Sequence, residues 1–93
     1  MTEKKATREI KVVNKLGLHA RPSAMLVQLA NQFESELFAT IDNNDEINAK
    51  SIMGIMMLAA GQNTVISFRT EGEDCEELLN ELEKLFQSKF NED

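Results

Sequence analysis

The sequence contains a single cysteine, Cys75, and therefore cannot form an intramolecular disulfide. Because disulfides belong to oxidising compartments, a chain without them is typical of the reducing cytosol. The N-terminal segment lacks the apolar core of a signal peptide. The longest apolar stretch, residues 52–60, is interrupted by Gly54 and is too short to span a bilayer. We therefore expect a cytoplasmic protein that does not insert into membranes.

Motifs of several functional classes are absent as well. His19 is the one histidine, and a zinc site needs further histidine or cysteine ligands at suitable spacing. The sequence has no glycine-rich nucleotide-binding loop, no Ser-His-Asp pattern and no aromatic motif of the nucleic-acid-binding kind. We accordingly predict no metal site, no cofactor and no nucleic-acid partner.

The net charge is −6, and the two signs are unevenly distributed. Residues 1–21 contain six basic and two acidic side chains, whereas residues 71–93 contain nine acidic and two basic ones. An acidic chain is a poor non-specific ligand of nucleic acids and anionic membranes. Most of these charges are expected on solvated surfaces, but the basic N-terminal part can still meet an acidic protein or a phosphate.

A length of 93 residues fits one compact domain, which we assign to residues 1–93. A domain of this size buries a modest core, so a functional site is expected on its surface rather than in a deep cleft. Its content of 42% hydrophobic and 28% charged residues is typical of a globular protein.

Periodicity in the first half of the chain predicts a strand, a loop and a helix. Ile10 and Val12 share one face of a strand at residues 8–13. After a loop at residues 14–18, apolar residues recur at helical spacing, with Pro22 in the first turn, where its missing N–H is harmless. The apolar positions of this helix are Leu26, Leu29, Ala30 and Phe33.

A hairpin and a short helix are predicted next. The polar residues 42–45 separate strand candidates at residues 37–41 and 46–49, which is typical of a hairpin. Ser51 precedes the apolar residues 52–60, so its hydroxyl is expected to cap a short helix there.

A strand at residues 64–70 and an amphipathic helix complete the chain. Acidic residues stand at the start of this helix, and Lys84 and Lys89 stand near its end, which suits the helix dipole. The order of strand, helix, strand, strand, helix, strand and helix describes an α+β domain with its helices on one face of a mostly antiparallel sheet.

Residues 17–22, with the sequence Gly-Leu-His-Ala-Arg-Pro, combine features that suit the binding of a phosphate. Gly17 permits a tight loop. His19 stands at the predicted start of a helix, where unpaired N–H groups and the positive end of the dipole favour an anion. This field favours a neutral imidazole, whose ring nitrogen is a nucleophile at neutral pH. Arg21 can reach phosphate oxygens with its planar fork of donors.

These parts suit reversible transfer of a phosphoryl group to a nitrogen atom. Catalysis of such a transfer consists mostly of positioning and electrostatics, so a small surface site suffices. A lone histidine beside a helix start can equally be a cap or a solvated surface residue, and the residues by themselves leave these interpretations open.

Residues 17–22 resemble the active-site signature of HPr, the histidine-containing phosphocarrier family of the bacterial phosphoenolpyruvate-dependent sugar phosphotransferase system. Residues 48–56, Asn-Ala-Lys-Ser-Ile-Met-Gly-Ile-Met, resemble the regulatory-serine signature of that family. The resemblance extends over residues 8–88. It implies an open-faced β-sandwich in which four antiparallel strands, in the order 1-4-2-3, are covered by three helices. Asn63 stands in a turn where relatives commonly have glycine, and asparagine tolerates the left-handed backbone.

The resemblance also implies a carrier that forms a transient phosphohistidine, not an enzyme. His19 would accept the phosphoryl group on Nδ1 from phospho-enzyme I and pass it to the A-domains of sugar-specific enzymes II. Arg21 would neutralise the group. Ser51 would be the target of the ATP-dependent HPr kinase/phosphorylase, in organisms that have one, and a phosphate there would hinder docking to enzyme I. A transcriptional regulator is a further implied partner, and we expect a monomer.

The same analogy places a partner-binding patch beside His19. Its residues are Ala20, Ile52, Ile55, Met56 and Ala59. One side of a short amphipathic helix must face the core, so core packing is the alternative for each of these side chains. Methionine-rich surfaces adapt to several partners, which suits a carrier with many acceptors.

Two other functions stay open. The chain could serve a regulatory, nitrogen-type branch of the phosphotransferase system, in which the carrier signals and no sugar moves. It could also be an interaction module that binds regulators and is controlled at Ser51. The presence of both His19 and Arg21 argues against the interaction module, because relatives with that role alone typically lack the histidine.

Overall fold

Four antiparallel strands and three helices make up residues 4–91, the part of the chain that this computed structural model describes. In chain order they are β1 (Lys5–Lys11), α1 (Ala20–Ala30), β2 (Glu36–Thr40), β3 (Ile47–Asn48), α2 (Ile52–Met57), β4 (Val65–Glu71) and α3 (Cys75–Gln87). The strands lie in the order β1-β4-β2-β3, and each neighbouring pair is antiparallel. The predicted α+β fold, an open-faced β-sandwich with strand order 1-4-2-3, is confirmed.

The core lies between one face of the sheet and the helices. Alternate residues of β4 are buried, whereas those between them point to the other face. The buried residues of α1 and α3 are Pro22, Ser23, Leu26, Val27, Ala30, Cys75, Leu78, Leu79, Leu82 and Phe86. Because full burial of one large apolar side chain contributes roughly 1.5–3 kcal/mol, this layer is the main stabilising feature of the fold.

The first strand differs from its predicted bounds. It begins at Lys5 and ends at Lys11, whereas the apolar alternation had indicated residues 8–13. Lys5 pairs with Glu71 and Lys11 with Val65, so the length of β1 is determined by its partner strand and not by its own hydrophobic pattern. Val12 lies beyond the strand, although its N–H still donates to the carbonyl of Thr64 at 2.8 Å.

A turn after α3 was not anticipated from the sequence. Residues Lys89–Asn91 all have left-handed backbones, with φ angles of 56°, 55° and 60°. The turn brings Phe90 back onto the core, where it is fully buried and packs edge-on against Phe86 with 4.8 Å between ring centroids. One isolated aromatic residue after a helix has no periodicity, so the sequence pattern held no signal for this contact.

The open face of the sheet carries an ion cluster around Arg69. The Arg69 guanidinium donates to both carboxylate oxygens of Glu46, at 2.7 and 2.8 Å, and also to Glu71. It lies 4.4 Å from the centre of the Phe38 ring. The hydrogen bond from Arg69 holds the pKa of Glu46 below its usual value. This cluster joins the chain before β3 to β4 on the face that no helix covers.

Candidate functional site

His19 is the N-cap residue of α1, with an extended backbone (φ −77°, ψ −168°). Its carbonyl oxygen accepts the N–H of Ser23 at 3.0 Å, the first hydrogen bond of the helix. Its side chain makes no capping hydrogen bond to the helix and is half-buried. The interpretation of His19 as a side-chain cap is therefore wrong, and part of the imidazole is accessible to another molecule.

The loop before His19 packs against the segment that follows α2. Gly17 has a φ of +69°, and a Cβ atom at this position would meet the carbonyl oxygen of Ala60 and lie 2.8 Å from Cα of Gly61. The N–H of Leu18 donates to the same Ala60 oxygen at 2.9 Å. Glycine is therefore required at residue 17, and it brings the His19 loop beside the C-terminal end of α2.

The first turn of α1 leaves backbone N–H groups without helical partners. Its first N–H groups, those of Ala20 and Arg21, have no carbonyl one turn back to bond with, and Pro22 has no N–H at all. Arg21 is exposed and makes no ion pair with any residue in the 4–91 range. Its guanidinium is thus available to an incoming phosphate, at the end of the helix that carries partial positive charge.

Ser51 caps α2, as predicted. Its Oγ accepts the N–H of Gly54 at 3.2 Å, and its carbonyl accepts the N–H of Ile55 at 3.0 Å. The helix has six residues and ends at Met57, before the end of the predicted apolar run. A helix of this length spans about 9 Å, so Ser51 lies one short helix away from the contact between Ala60 and the His19 loop.

The predicted partner-binding patch needs one correction. Ile52 and Met56 are 43% and 45% exposed, and Ala20 and Ala59 are exposed as well. Ile55, in contrast, is fully buried and belongs to the core cluster. A side chain without accessible surface cannot contact a partner, so the assignment of Ile55 to the patch is wrong.

Three exposed apolar side chains extend the patch beyond the predicted residues. Leu16, Met53 and Met57 are 73%, 77% and 76% exposed. Leu16 could have been recognised from the sequence, because loop tips are usually polar and an apolar residue just before Gly17 indicates a contact surface. We define the docking patch as Leu16, Ala20, Ile52, Met53, Met56, Met57 and Ala59.

Neither a metal centre nor a membrane helix is found in the described part of the chain. No group of three or more histidine, cysteine or acidic residues within residues 4–91 could hold a metal ion. None of the helices described there is long and apolar enough to cross a membrane.

The fold and the site together define a class: a small α+β protein with one accessible histidine at a helix N-terminus. Comparison with known proteins names the family. The family model described as "PTS HPr component phosphorylation site" matches residues 6–88. The phosphocarrier protein HPr of Xylella fastidiosa is 51% identical over 85 residues, which are 91% of this chain and 94% of the relative.

Two further comparisons agree. The crystal structure of HPr from Thermoanaerobacter tengcongensis has a TM-score of 0.86 and 47% identity, covering 97% of this chain and 98% of that one. The HPr-like protein Crh of Halalkalibacterium halodurans is 47% identical over 75 residues, 81% of this chain and 88% of that protein. The chain belongs to the HPr family of the phosphotransferase system, whose members are phosphocarriers and not enzymes.

Proposed function

We propose that His19 accepts a phosphoryl group from phospho-enzyme I and passes it to the A-domains of sugar-specific enzymes II in the cytoplasm. In the first transfer, the lone pair of Nδ1 attacks phosphorus, and a new N–P bond forms while the bond from phosphorus to enzyme I breaks. The second transfer repeats these events with His19 as donor. The single observation that supports the proposal most is the half-exposed His19 at the positive end of α1, two residues before Arg21, which makes no ion pair within residues 4–91.

Arg21 would act on the charge of the transferred group. The phosphoryl oxygens carry negative charge in the transition state, and a planar guanidinium can donate two parallel hydrogen bonds to them. Lysine would supply the charge without the fork. In this proposal the protein stabilises the group by position and charge alone, and no metal or cofactor takes part.

The test uses enzyme I and labelled phosphoenolpyruvate. We expect acid-labile label on the parent protein and none on His19→Ala. Because His19 is the one histidine of the chain, this difference would assign the phosphohistidine without further mapping. Arg21→Lys, which keeps the charge, should be labelled more slowly than the parent but faster than Arg21→Ala. A parent protein that takes no label, or takes label that His19→Ala retains, would contradict the proposal.

Ser51 is the proposed control point of docking. Phosphorylation by an HPr kinase/phosphorylase would add about −1.5 to −2 charge at the start of α2. A standard protein interface covers roughly 800 Å² per partner, which is wide enough to include both Ser51 and the His19 loop. A phosphate at Ser51 would therefore lie within the surface on which enzyme I docks, and would repel an acidic partner.

A pair of matched variants tests this control. Asp and Asn are both good N-caps and differ in charge, so α2 should survive in either variant. We expect Ser51→Asp to accept phosphate from enzyme I more slowly than the parent, with a raised KM, and Ser51→Asn to behave like the parent. Equal rates for the parent and Ser51→Asp would defeat the proposed control.

The likeness to the HPr-like protein Crh favours a second candidate, an interaction module that binds regulators under control of Ser51. Addition of a sugar-specific enzyme II to the labelled carrier separates the candidates. Loss of label from the carrier, with phosphorylation of the sugar, supports transport. Label that stays on the carrier in the presence of several enzymes II supports a signalling or regulatory role.

A further inference from the structure

We propose that Asn14 is a positioning residue that holds the His19 loop in the geometry needed for phosphoryl transfer. The inference rests on the proposed function of His19 and adds to it a residue outside the two family signatures. It starts from a buried polar side chain five positions before the histidine.

Asn14 closes the turn that leads to the site. Its side chain is 1% exposed, and its Nδ2 donates to the carbonyl of Gly17 at 2.8 Å. The backbone N–H of Gly17 donates in return to the carbonyl of Asn14 at 3.2 Å. A buried amide is costly unless it is hydrogen-bonded, so the side chain and the turn determine each other's conformation.

The peptide groups between this turn and the helix are also held one after another. The N–H of Leu18 donates to Ala60, and the carbonyl of Leu18 accepts the hydroxyl of Ser23 at 3.0 Å. The carbonyl of His19 accepts the N–H of Ser23. Asn14 adds a hydrogen bond to the carbonyl of Gly17, and thereby extends the series from the turn to the histidine.

The chemistry makes such rigidity useful. The attacking nitrogen must approach phosphorus nearly in line, and misplacement by about 1 Å can reduce a rate by about 100-fold. The hydrogen bonds named above for Leu18 and for the carbonyl of His19 are made by backbone groups or by Ser23 within α1. The side chain of Asn14 closes the loop on itself, so its loss should release the backbone at Gly17 while His19 and Arg21 both remain.

The test compares Asn14→Ala with a matched control, Thr70→Val. Thr70 is also fully buried, and its hydroxyl also donates to a backbone carbonyl, that of Glu36 in the sheet. Both variants are first checked for folding by thermal unfolding. Transfer from phospho-enzyme I is then measured against carrier concentration, so that the rate at saturation and the KM are obtained separately.

We expect Asn14→Ala to lose about tenfold or more in the saturating rate with a KM within about twofold of the parent. Thr70→Val should keep a saturating rate within about twofold of the parent, even if its melting temperature falls by as much as that of Asn14→Ala. A parent-like saturating rate in Asn14→Ala overturns the proposal, as does an equal loss in Thr70→Val.

A second measurement tests the positioning role of Asn14 independently of phosphoryl transfer to His19. Hydrogen exchange of the Leu18 and Ser23 amides, followed by NMR, should be faster in Asn14→Ala and unchanged in Thr70→Val. If the parent protein accepts no phosphate, the proposed function fails, and the exchange rates still decide whether Asn14 holds the loop. Unchanged exchange in Asn14→Ala would refute the positioning role.

Discussion

Gly17 is the residue at which backbone conformation and packing impose the strictest requirement on the site. Its φ of +69° is a conformation that side chains with a Cβ adopt at a cost of about 1–2 kcal/mol. The carbonyl of Ala60 occupies the space that a Cβ would need. The two constraints are independent, and both concern the loop that ends at His19.

We expect Gly17→Ala to destabilise the protein by at least about 1–2 kcal/mol, and by more where the loop cannot move away from Ala60. Gly61→Ala is the matched control, because a Cβ at Gly61 meets nothing within 4 Å. It should change stability by less than about 0.5 kcal/mol. Urea unfolding of both variants measures the difference, and equal stabilities would disprove the packing argument.

Helix α2 is too short to be stable without its surroundings. An isolated helix of six residues does not form in water, so α2 depends on the Ser51 cap and on the packing of its buried side. Ile55 supplies that packing, whereas its neighbour Met56 remains 45% exposed. Adjacent residues of one helix thus differ in their surroundings: Ile55 stabilises the fold, and Met56 is exposed for the proposed docking of a partner.

Substitution of each residue by alanine should separate these tasks. Ile55→Ala is expected to cost about 2–5 kcal/mol of folding free energy, as large-to-small substitutions in a core do. Met56→Ala should leave stability within about 0.5 kcal/mol of the parent but raise the KM for phospho-enzyme I. Denaturation curves and transfer kinetics give both quantities, and a normal KM in Met56→Ala would remove it from the docking patch.

The start of α3 is joined to the loop after α1 through Asp74. Its carboxylate accepts the backbone N–H groups of Glu34 and Ser35, both at 3.0 Å, and the hydroxyl of Ser35. The hydrogen bond from the Ser35 hydroxyl lowers the pKa of Asp74 most. The hydrogen bonds from the backbone N–H groups of Glu34 and Ser35 lower this pKa further. The ionised carboxylate is therefore favoured by folding.

This lowered pKa predicts a pH dependence of stability. The unfolded chain binds the proton of Asp74 more readily than the folded chain, so its contribution is complete above the unfolded pKa of about 3.9. The contribution is lost as the pH falls through the lower, folded pKa. Asp74→Asn should therefore be less stable than the parent near neutral pH, and the two should converge in acid.

Urea midpoints between neutral and strongly acidic pH measure this convergence. Glu73→Gln removes an exposed charge one residue earlier and serves as the control. The urea midpoint of Glu73→Gln should differ little from that of the parent. This difference should not shrink in acid as it does for Asp74→Asn. A constant stability gap between the parent and Asp74→Asn at all pH values would show that the ionised form of Asp74 is not the stabilising one.

At the scale of the whole molecule, both edges of the sheet discourage pairing with a second copy. The edge strand β1 carries exposed Lys5, Glu9 and Lys11, and the opposite edge strand β3 has two residues. Charged or very short edge strands oppose the addition of another strand. These features support the expectation of a monomer.

We predict a monomer of 10.5 kDa in solution, measured by light scattering after size exclusion. Replacement of Lys5 and Lys11 by threonine keeps the strand and removes two of its three exposed charges, so this variant should associate more readily than the parent. A parent protein at twice the monomer mass would contradict the prediction.

Much of the fold followed from local pattern. The order of elements, the Ser51 cap and the amphipathic helix α3 are signals that lie within a few neighbouring residues, and the structure confirms each of them. Asn63 has a φ of 74°, as expected where asparagine replaces glycine in a turn. The bounds of β1 and the burial of Phe90 were not predicted, because both depend on residues that lie elsewhere in the chain.

The candidate site likewise has some features that the local sequence determines and others that depend on tertiary structure. By itself the sequence determined that His19 begins a helix, that Arg21 follows it within the first turn, and that the two signatures are those of the HPr family. These are properties of chain neighbours and of residue types. Tertiary structure alone decided that Ile55 turns inward, that Gly17 rests on Ala60, and that Asn14 closes the loop. The physical reason is that burial and close approach come from contacts between distant segments, which no local pattern records.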